Sequence, residues 1–426
     1  IAATQYDLRD QAVPTVPFAT TLYGVVRHPV DWTFGPYPPV ILLHGNHGNC
    51  RPSRSIGDDT CATTDDHDCH RSGFTTTPNA EGMTYLAETL AAHGYVATTI
   101  SGNALNCRDD YILERTELIL EHLRRWNDWS ATGGAPFGTT FVGNVDMGRV
   151  GLVGHSRGGE AVAHAPARLA ATPIAGVSIG SVWSTAPTDY HDASPAAAAY
   201  AVLVPACDGD VPLGHGISIY DRSLQPAGQE HSQVLFVGAN HNYFSTEWRY
   251  DDNLFSRTCW SCDQIGAQAQ RGMLEATLAA WFDGTLAAGG ELEPFLRADG
   301  EAPLGIEAWA NAELDLRWSH AAAERTAIDD FSGAGAPAMN LLGLPNSFTG
   351  YTVSRSCSEN ACDTSFDHPH DAMFLSWDGG TPVASWQLGG LDASAAAAFS
   401  FRVVSRRSTL NDGITEQLFL VRLADA

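Results

Sequence analysis

The stretch "RVGLVGHSRGGEAVAHAPA" runs from Arg149 to Ala167 and changes character at its centre. Arg149–Val153 reads as a short buried strand, and Ser156–Ala171 as a helix. Between them Gly154-His155-Ser156-Arg157-Gly158-Gly159 places one serine in a sharp strand-to-helix turn. Such a turn strains the serine backbone, so its neighbours must lack bulky side chains, as Gly154 and Gly158 do. The N–H of Arg157 then stands at a helix N-terminus, where it can stabilise an oxyanion. A turn that merely needs small residues predicts the same letters, so the company the serine keeps must decide.

Outward from this turn, the first ~290 residues alternate strand-like and helical runs, as a parallel sheet with crossover helices requires. Strands are expected at Thr21–Arg27, Pro39–Leu43, Val96–Ser101, Ile174–Ile179, Ala199–Pro205 and Gln233–Gly238. Tyr85–Ala92, Ile112–Trp126 and Ile265–Leu286 carry helical spacing. From about Phe295 the texture shifts to short alternating runs, "ELDLRWS", "DAMFLSW", "VASWQL", "AFSFRVV" and "EQLFLVRLA". These predict an antiparallel β-sandwich. The expected organisation is therefore an α/β domain over residues 1–290 and an all-β domain over 291–426, divided near Gly289–Gly290.

A serine needs a base, and the base an orienting acid. Open α/β sheets place such groups just past the carboxyl ends of their strands. After Ala199–Pro205 comes "ACDGDVPLGHG", offering Asp208 and Asp210; after Gln233–Gly238 comes "ANHNYF", offering His241. His231 precedes its strand, His215 stands too close to the acid, and His155 lies inside the turn. In "VILLHGNHGNC" a strand ends at His44-Gly45-Asn46, and the backbone N–H of Asn46 is the candidate second oxyanion donor beside that of Arg157. Trp183, Tyr243 and Phe244 follow strands and are candidates to line a substrate pocket, with core packing an equal account of each. Glu160 is expected to face solvent, and Trp126 and Trp129 to pack a helix end.

The net charge of −25, with every basic residue an arginine, repels nucleic acid and anionic membranes, so neither is an expected partner. No run approaches the length of a membrane span. Nine cysteines in polar loops point to disulfides and to a secreted, extracellular or periplasmic location, and the Ile1-Ala2-Ala3 start reads as that of a processed chain. Cys50, Cys61, Cys69 and Cys107 are candidates to staple one long loop, and Cys357 with Cys362 to close another; Cys207 is the candidate thiol outside any bridge. Cys259-Trp-Ser-Cys262 lacks the context of a redox site. The segment with Asp58, Asp59, Asp65, Asp66, His67, Asp68 and His70 matches no calcium or zinc template and reads as a solvated acidic loop, so no metal and no cofactor is expected.

With "HGN" at His44–Asn46, "GHSRGG" at Gly154–Gly159, "DGDVP" at Asp208–Pro212 and "GANHNYF" at Gly238–Phe244, the first ~290 residues resemble an α/β-hydrolase. The hexapeptide GHSRGG is similar to the motif of chlorophyllases and of secreted bacterial esterases and polyester hydrolases. The resemblance implies a mostly parallel sheet of about eight strands and hydrolysis of a small or polymeric ester through an acyl-enzyme, with Ser156, Asp208 and His241 as the triad. It favours Asp208 over Asp210 through the D-x-x-V-P arrangement ending at Pro212. The C-terminal part resembles the jelly-roll sandwiches appended to secreted enzymes. The rival readings are a binding protein on an unused hydrolase fold, and a serine peptidase or acyltransferase.

Overall fold

Every residue of Val150–His155 is buried and none is a carboxylate or an arginine, as a strand covered on both faces requires. The computed structural model describes residues 1–53, 59–62, 65–108, 110–195, 197–211, 213–223, 229–252, 264–291, 293, 296, 314–319, 326–331, 337–357, 372–392, 394, 399, 401 and 420–422. The chain divides into two compact units, Ile1–Arg325 and Thr326–Ala426.

The first unit begins with β1 (Ala2–Gln11), β2 (Thr20–His28), β3 (Pro39–Leu43), the short pair β4 (Cys50–Pro52) and β5 (Phe74–Thr76), α1 (Thr84–Ala92) and β6 (Val96–Ile100). It continues with α2 (Ile112–Ala131), β7 (Val150–His155), α3 (Arg157–Ala171), β8 (Ile179–Thr185) and β9 (Ala199–Pro205). α4 (Leu213–Ser223), β10 (His231–Phe236), α5 (Ala267–Thr285) and β11 (Leu314–Ser319) complete it. Among the described residues one nine-stranded sheet has the order β1-β2-β6-β3-β7-β8-β9-β10-β11. From β6 to β10 the neighbours run parallel, while β1, β2 and β11 pair antiparallel at the two edges.

Alternation along the strands splits the core into two layers. Ile41, Leu43, Leu152 and Val202 pack with Leu120 and Val162 of α2 and α3. Val40, Leu42, Val153 and Leu203 pack on the other face with Leu90 of α1 and Leu278 and Phe282 of α5. Because β3, β7, β9 and β10 run the same way, the turns that follow them all emerge at one rim. Chain direction alone therefore gathers Asn46, Ser156, Asp208 and His241.

Two segments differ from expectation. Ile174–Ile179 is not the expected strand; Val177 N–H turns back to Ile174 O (3.1 Å), Gly176 has φ +81°, and pairing with β7 begins at Ile179. The run "ELDLRWS" does not join the C-terminal strands: Leu314–Ser319 pairs residue by residue with β10, so the division falls after Arg325 rather than near Gly290. β1 and α4 were not foreseen. In the second unit β12 (Asn346–Thr349) pairs antiparallel with β15 (Val383–Trp386), and β13 (Val353–Cys357) with β14 (Ala372–Ser376). Most of "AFSFRVV" and "EQLFLVRLA" lies outside the described residues.

Disulfides Cys50–Cys69 and Cys61–Cys107 join cysteines 19 and 46 positions apart in sequence. Cys207 is buried and in neither bridge, and Cys259, Cys262 and Cys362 lie outside the described residues. No helix among the described residues is long and apolar enough to cross a membrane.

The edge position of β11 is testable by truncation. A chain ending at Arg325 keeps the strand, whereas one ending at Gly290 exposes the unpaired edge of β10. The shorter chain is expected to melt earlier and aggregate, by differential scanning fluorimetry and light scattering; equal behaviour of the two would contradict the pairing.

Candidate active site

Ser156 caps α3 with φ 57° and ψ −126°, a conformation that side-chain-bearing residues rarely adopt. Space is as restrictive as torsion. A Cβ on Gly154 would lie 2.1 Å from Gly158 O, and one on Gly158 2.4 Å from Leu43 O. The turn after β3 presses directly on the serine, for a Cβ on Gly45 would stand 2.4 Å from Ser156 Cβ and 3.0 Å from Oγ. Ser156 itself is only 3 % exposed.

The two candidate donors take their direction from this packing. His44 Nε2 accepts the Gly102 N–H (2.8 Å), which puts the ring proton on Nδ1, where it donates to Gly45 O (2.7 Å). Burial, aided by the nearby Arg115, lowers the His44 pKa to about 3 and keeps the ring neutral. A trans peptide points its N–H away from its carbonyl. Fixing Gly45 O therefore fixes the Asn46 N–H, while the Asn46 side chain is held separately, its Oδ1 accepting from Cys107 N (2.9 Å). Among the described residues neither the Asn46 nor the Arg157 N–H donates a hydrogen bond. The Arg157 guanidinium turns aside to Arg108 O (3.0 Å) and Asp110 O (3.3 Å).

His241 Nδ1 lies 2.9 Å from Asp208 Oδ2, both side chains being buried. The other Asp208 oxygen accepts the N–H groups of Asp210 (2.9 Å) and Val211 (2.7 Å), so one carboxylate shapes its own turn and holds the imidazole. Asp210 instead reaches the opposite nitrogen, with Oδ2 3.6 Å from Nε2 and a side chain 63 % exposed. The His241 ring lies 4.6 Å from that of His155, the residue before the serine. Nε2 makes no hydrogen bond, to Ser156 Oγ or to any other described group. Burial opposes charge on His241, but Asp208, then Asp210 and Asp252, outweigh it and push the pKa up to about 9. Burial, with His241 and His44 nearby, drives His155 well below the ordinary histidine value.

Other expected residues fall elsewhere. Trp183 lies within β8 rather than after it, is 0 % exposed, and its Nε1 donates to Thr185 Oγ1 (3.0 Å); it is a core residue because the strand begins later than the apolar pattern indicated. Phe244 is also buried, beside Phe236 and His155, while Tyr243 is partly exposed in the turn after His241. Glu160 does not face solvent. At 0 % exposure it accepts Thr188 Oγ1–H, Tyr190 N–H and His191 N–H, each at 2.7 Å, clamping the loop after β8. Trp126 and Trp129 pack edge to face at the end of α2.

The acidic loop is paired rather than merely solvated: Arg51 grips Asp59, Arg9 binds Asp68 and Arg108 binds Asp65. Asp58 lies outside the described residues, among which no cluster of metal-ligating side chains occurs.

Two neighbours of His241 escaped the sequence. Asp252 Oδ2 accepts both Gly209 N (2.7 Å) and His241 N (3.2 Å), and Oδ1 accepts Asn242 N (3.0 Å), so it ties the acid turn to the histidine turn. Trp248 stacks on His47 (4.7 Å) and faces His155 (4.8 Å) and His241 (6.3 Å). Neither follows a strand or sits in a motif, so nothing in the letters marks them.

The His241 pair sets a titration. The imidazolium is favoured by the fold, so its contribution to stability is fully present below the ordinary value of about 6.5 and is lost as pH rises through about 9. In Asp208→Asn the NMR-measured pKa of His241 is expected to fall, and the loss of stability over that window to shrink. An unchanged pKa would contradict the pairing.

No family model and no curated protein matches the chain.

Proposed function

We propose that the chain is a serine carboxylic-ester hydrolase of the α/β-hydrolase kind, with Ser156 as nucleophile, His241 as base and Asp208 as the orienting acid. One coincidence carries this reading: a serine held at φ 57° stands at the same sheet rim as an imidazole whose far nitrogen is bound by a buried carboxylate. A structural serine has no need of that backbone, and a structural histidine has no need of that carboxylate.

In the proposed reaction Ser156 Oγ attacks the ester carbonyl carbon as its proton passes to His241 Nε2. The carbonyl oxygen becomes an oxyanion held by the N–H groups of Asn46 and Arg157, which donate no other hydrogen bond among the described residues. The tetrahedral intermediate collapses, the alcohol leaves with the proton from Nε2, and the acyl group stays on Ser156. Water then attacks, returns a proton to Nε2, and the carboxylic acid departs as Ser156 Oγ is reprotonated. Asp208 stays ionised and fixes the tautomer at Nδ1. The unmade bond from Nε2 to the serine suits this scheme, since such bonds commonly tighten only when substrate engages.

Aromatic or aliphatic esters, polyesters included, are the proposed substrates, with partly exposed Tyr243 as the remaining expected aromatic wall. The proposed C-terminal unit is an accessory β-sandwich, and the disulfides favour a secreted protein.

The test uses a short-chain p-nitrophenyl ester and a fluorophosphonate probe. The wild-type chain should turn over the ester and take the label at Ser156; Ser156→Ala should do neither. Asp208→Asn should lower kcat by up to about 10⁴-fold. A chain that neither turns over the ester nor takes the label is a binding protein on this fold, and the reading fails.

A further inference from the structure

The imidazole of His241 is flanked by carboxylates on both ring nitrogens, and only one of them belongs to the proposed triad. Asp208 holds Nδ1 at 2.9 Å. Asp210 stands 3.6 Å from Nε2, the nitrogen that must exchange a proton with Ser156 and with the leaving alcohol. The placement follows from the turn. Asp208 Oδ1 gathers the N–H groups of Asp210 and Val211, and this folds the chain back so that the Asp210 side chain arrives over the far side of the ring. Those bonds use the Asp210 backbone alone, so its carboxylate is not what holds the turn.

We propose that Asp210 is the specificity-determining residue of this site, rejecting esters that carry a negative charge near the scissile bond and favouring neutral or cationic ones. The inference rests on the hydrolase reading. A leaving oxygen must come within hydrogen-bond reach of Nε2, which brings the substituents next to it within a few ångströms of Asp210 Oδ2. At such distances like charges interact appreciably even near water.

Among the described residues the ion-pair partner of Asp210 is His241 itself, and no arginine pairs with it. Arg157 directs its guanidinium to the carbonyls of Arg108 and Asp110 rather than to Asp210. Tyr190, 53 % exposed, lies in the field of Arg157 and of the carboxylates Asp210, Glu160 and Asp110. The net charge of −25 adds a repulsive long-range field.

The other groups that face His241 are differently engaged. Asp208 is bound at Nδ1, Asp252 binds the His241 backbone N–H, and His155 from β7 is kept neutral by burial. Trp248 offers an uncharged ring face. Asp210 is thus the solvent-open charge at the reacting nitrogen. It also gives an imidazolium a partner other than Ser156, which delays the base form to higher pH, and it disfavours retention of the anionic product.

The experiment compares kcat/KM for phenyl butyrate, which is neutral, and 4-butyryloxybenzoate, whose leaving group is anionic, over about pH 6 to 10. In Asp210→Asn the ratio of anionic to neutral ester should rise roughly tenfold at low ionic strength, and the gain should shrink in about 0.5 M salt. The acid limb for the neutral ester should move to lower pH, and Asp210→Glu should restore discrimination. A variant with intact turnover and an unchanged ratio overturns the proposal while leaving the hydrolase reading standing. A wild-type chain that hydrolyses neither ester and takes no fluorophosphonate label overturns both.

Discussion

Holding one side-chain-bearing residue at φ 57° and ψ −126° costs of order 1–3 kcal/mol, and the structure around Ser156 is arranged to sustain it. The serine N–H continues the sheet ladder by donating to Thr185 O (2.9 Å). Its carbonyl accepts from Gly159 N (2.8 Å), Glu160 N (3.2 Å) and Thr188 N (3.3 Å), so strand, helix and the next loop all close on one peptide. The cost falls on a residue whose neighbours have no room to relax: Gly154 against Gly158, Gly158 against Leu43, Gly45 against Ser156. An added methyl on Gly154 or Gly158 would push on backbone, and one on Gly45 on Ser156 Cβ itself. The hydroxyl is thereby lifted at the rim without reliance on its own rotamer.

Charge buried under that rim is handled by two opposite devices. Glu160 is fully enclosed, and its three donors tie the loop after β8 to the first turn of α3. Arg115 is enclosed as completely, but its hydrogen bonds go to Leu105 O (3.3 Å) and to Asn106 Oδ1 (2.7 Å), both uncharged, and burial lowers its pKa to about 9. Asn106 passes the connection on by donating to His47 O (3.0 Å), one residue past the Asn46 donor. A buried cation without a carboxylate is costly. Here it sits behind the turn whose N–H groups are proposed to receive negative charge.

Much of this frame was readable from the letters, because parallel strands turn sequence order into spatial order. A polar residue placed just after an apolar run lands at the rim whatever the details of the run, which is why Ser156, Asp208 and His241 could be picked from β7, β9 and β10. Where an element starts is less legible than where it ends. Moving β8 from Ile174 to Ile179 draws Trp183 into the core, and pairing Leu314–Ser319 with β10 shifts a boundary that composition placed near Gly290. Glu160 misled for another reason: one turn into a helix, a carboxylate normally faces water, and only the tertiary path of Thr188–His191 supplies donors for it. Asp252 and Trp248 belong to a turn with no periodicity, and their places follow from hydrogen bonds that sequence does not encode locally.

The two halves of the site hang on different supports. Asp208 and His241 follow sheet strands and are cross-tied by Asp252, so their geometry is as secure as β9 and β10. The Asn46 turn instead leans on irregular chain. Asn46 Oδ1 is held by the N–H of Cys107, which is bridged to Cys61; next to that bridge, the amide of Asn49 exchanges hydrogen bonds with the Ala62 backbone at 2.6 and 2.9 Å. Arg51, beside the bridged Cys50, binds Glu247, and Glu247 precedes the Trp248 that stacks near His241. An irregular loop of this length gains order chiefly from what closes it. Reduction of the bridges would therefore loosen the Asn46 turn and the indole while leaving the Asp208–His241 pair intact, so the proposed oxyanion side of the site, and not the proposed base, is the part that depends on an oxidising environment.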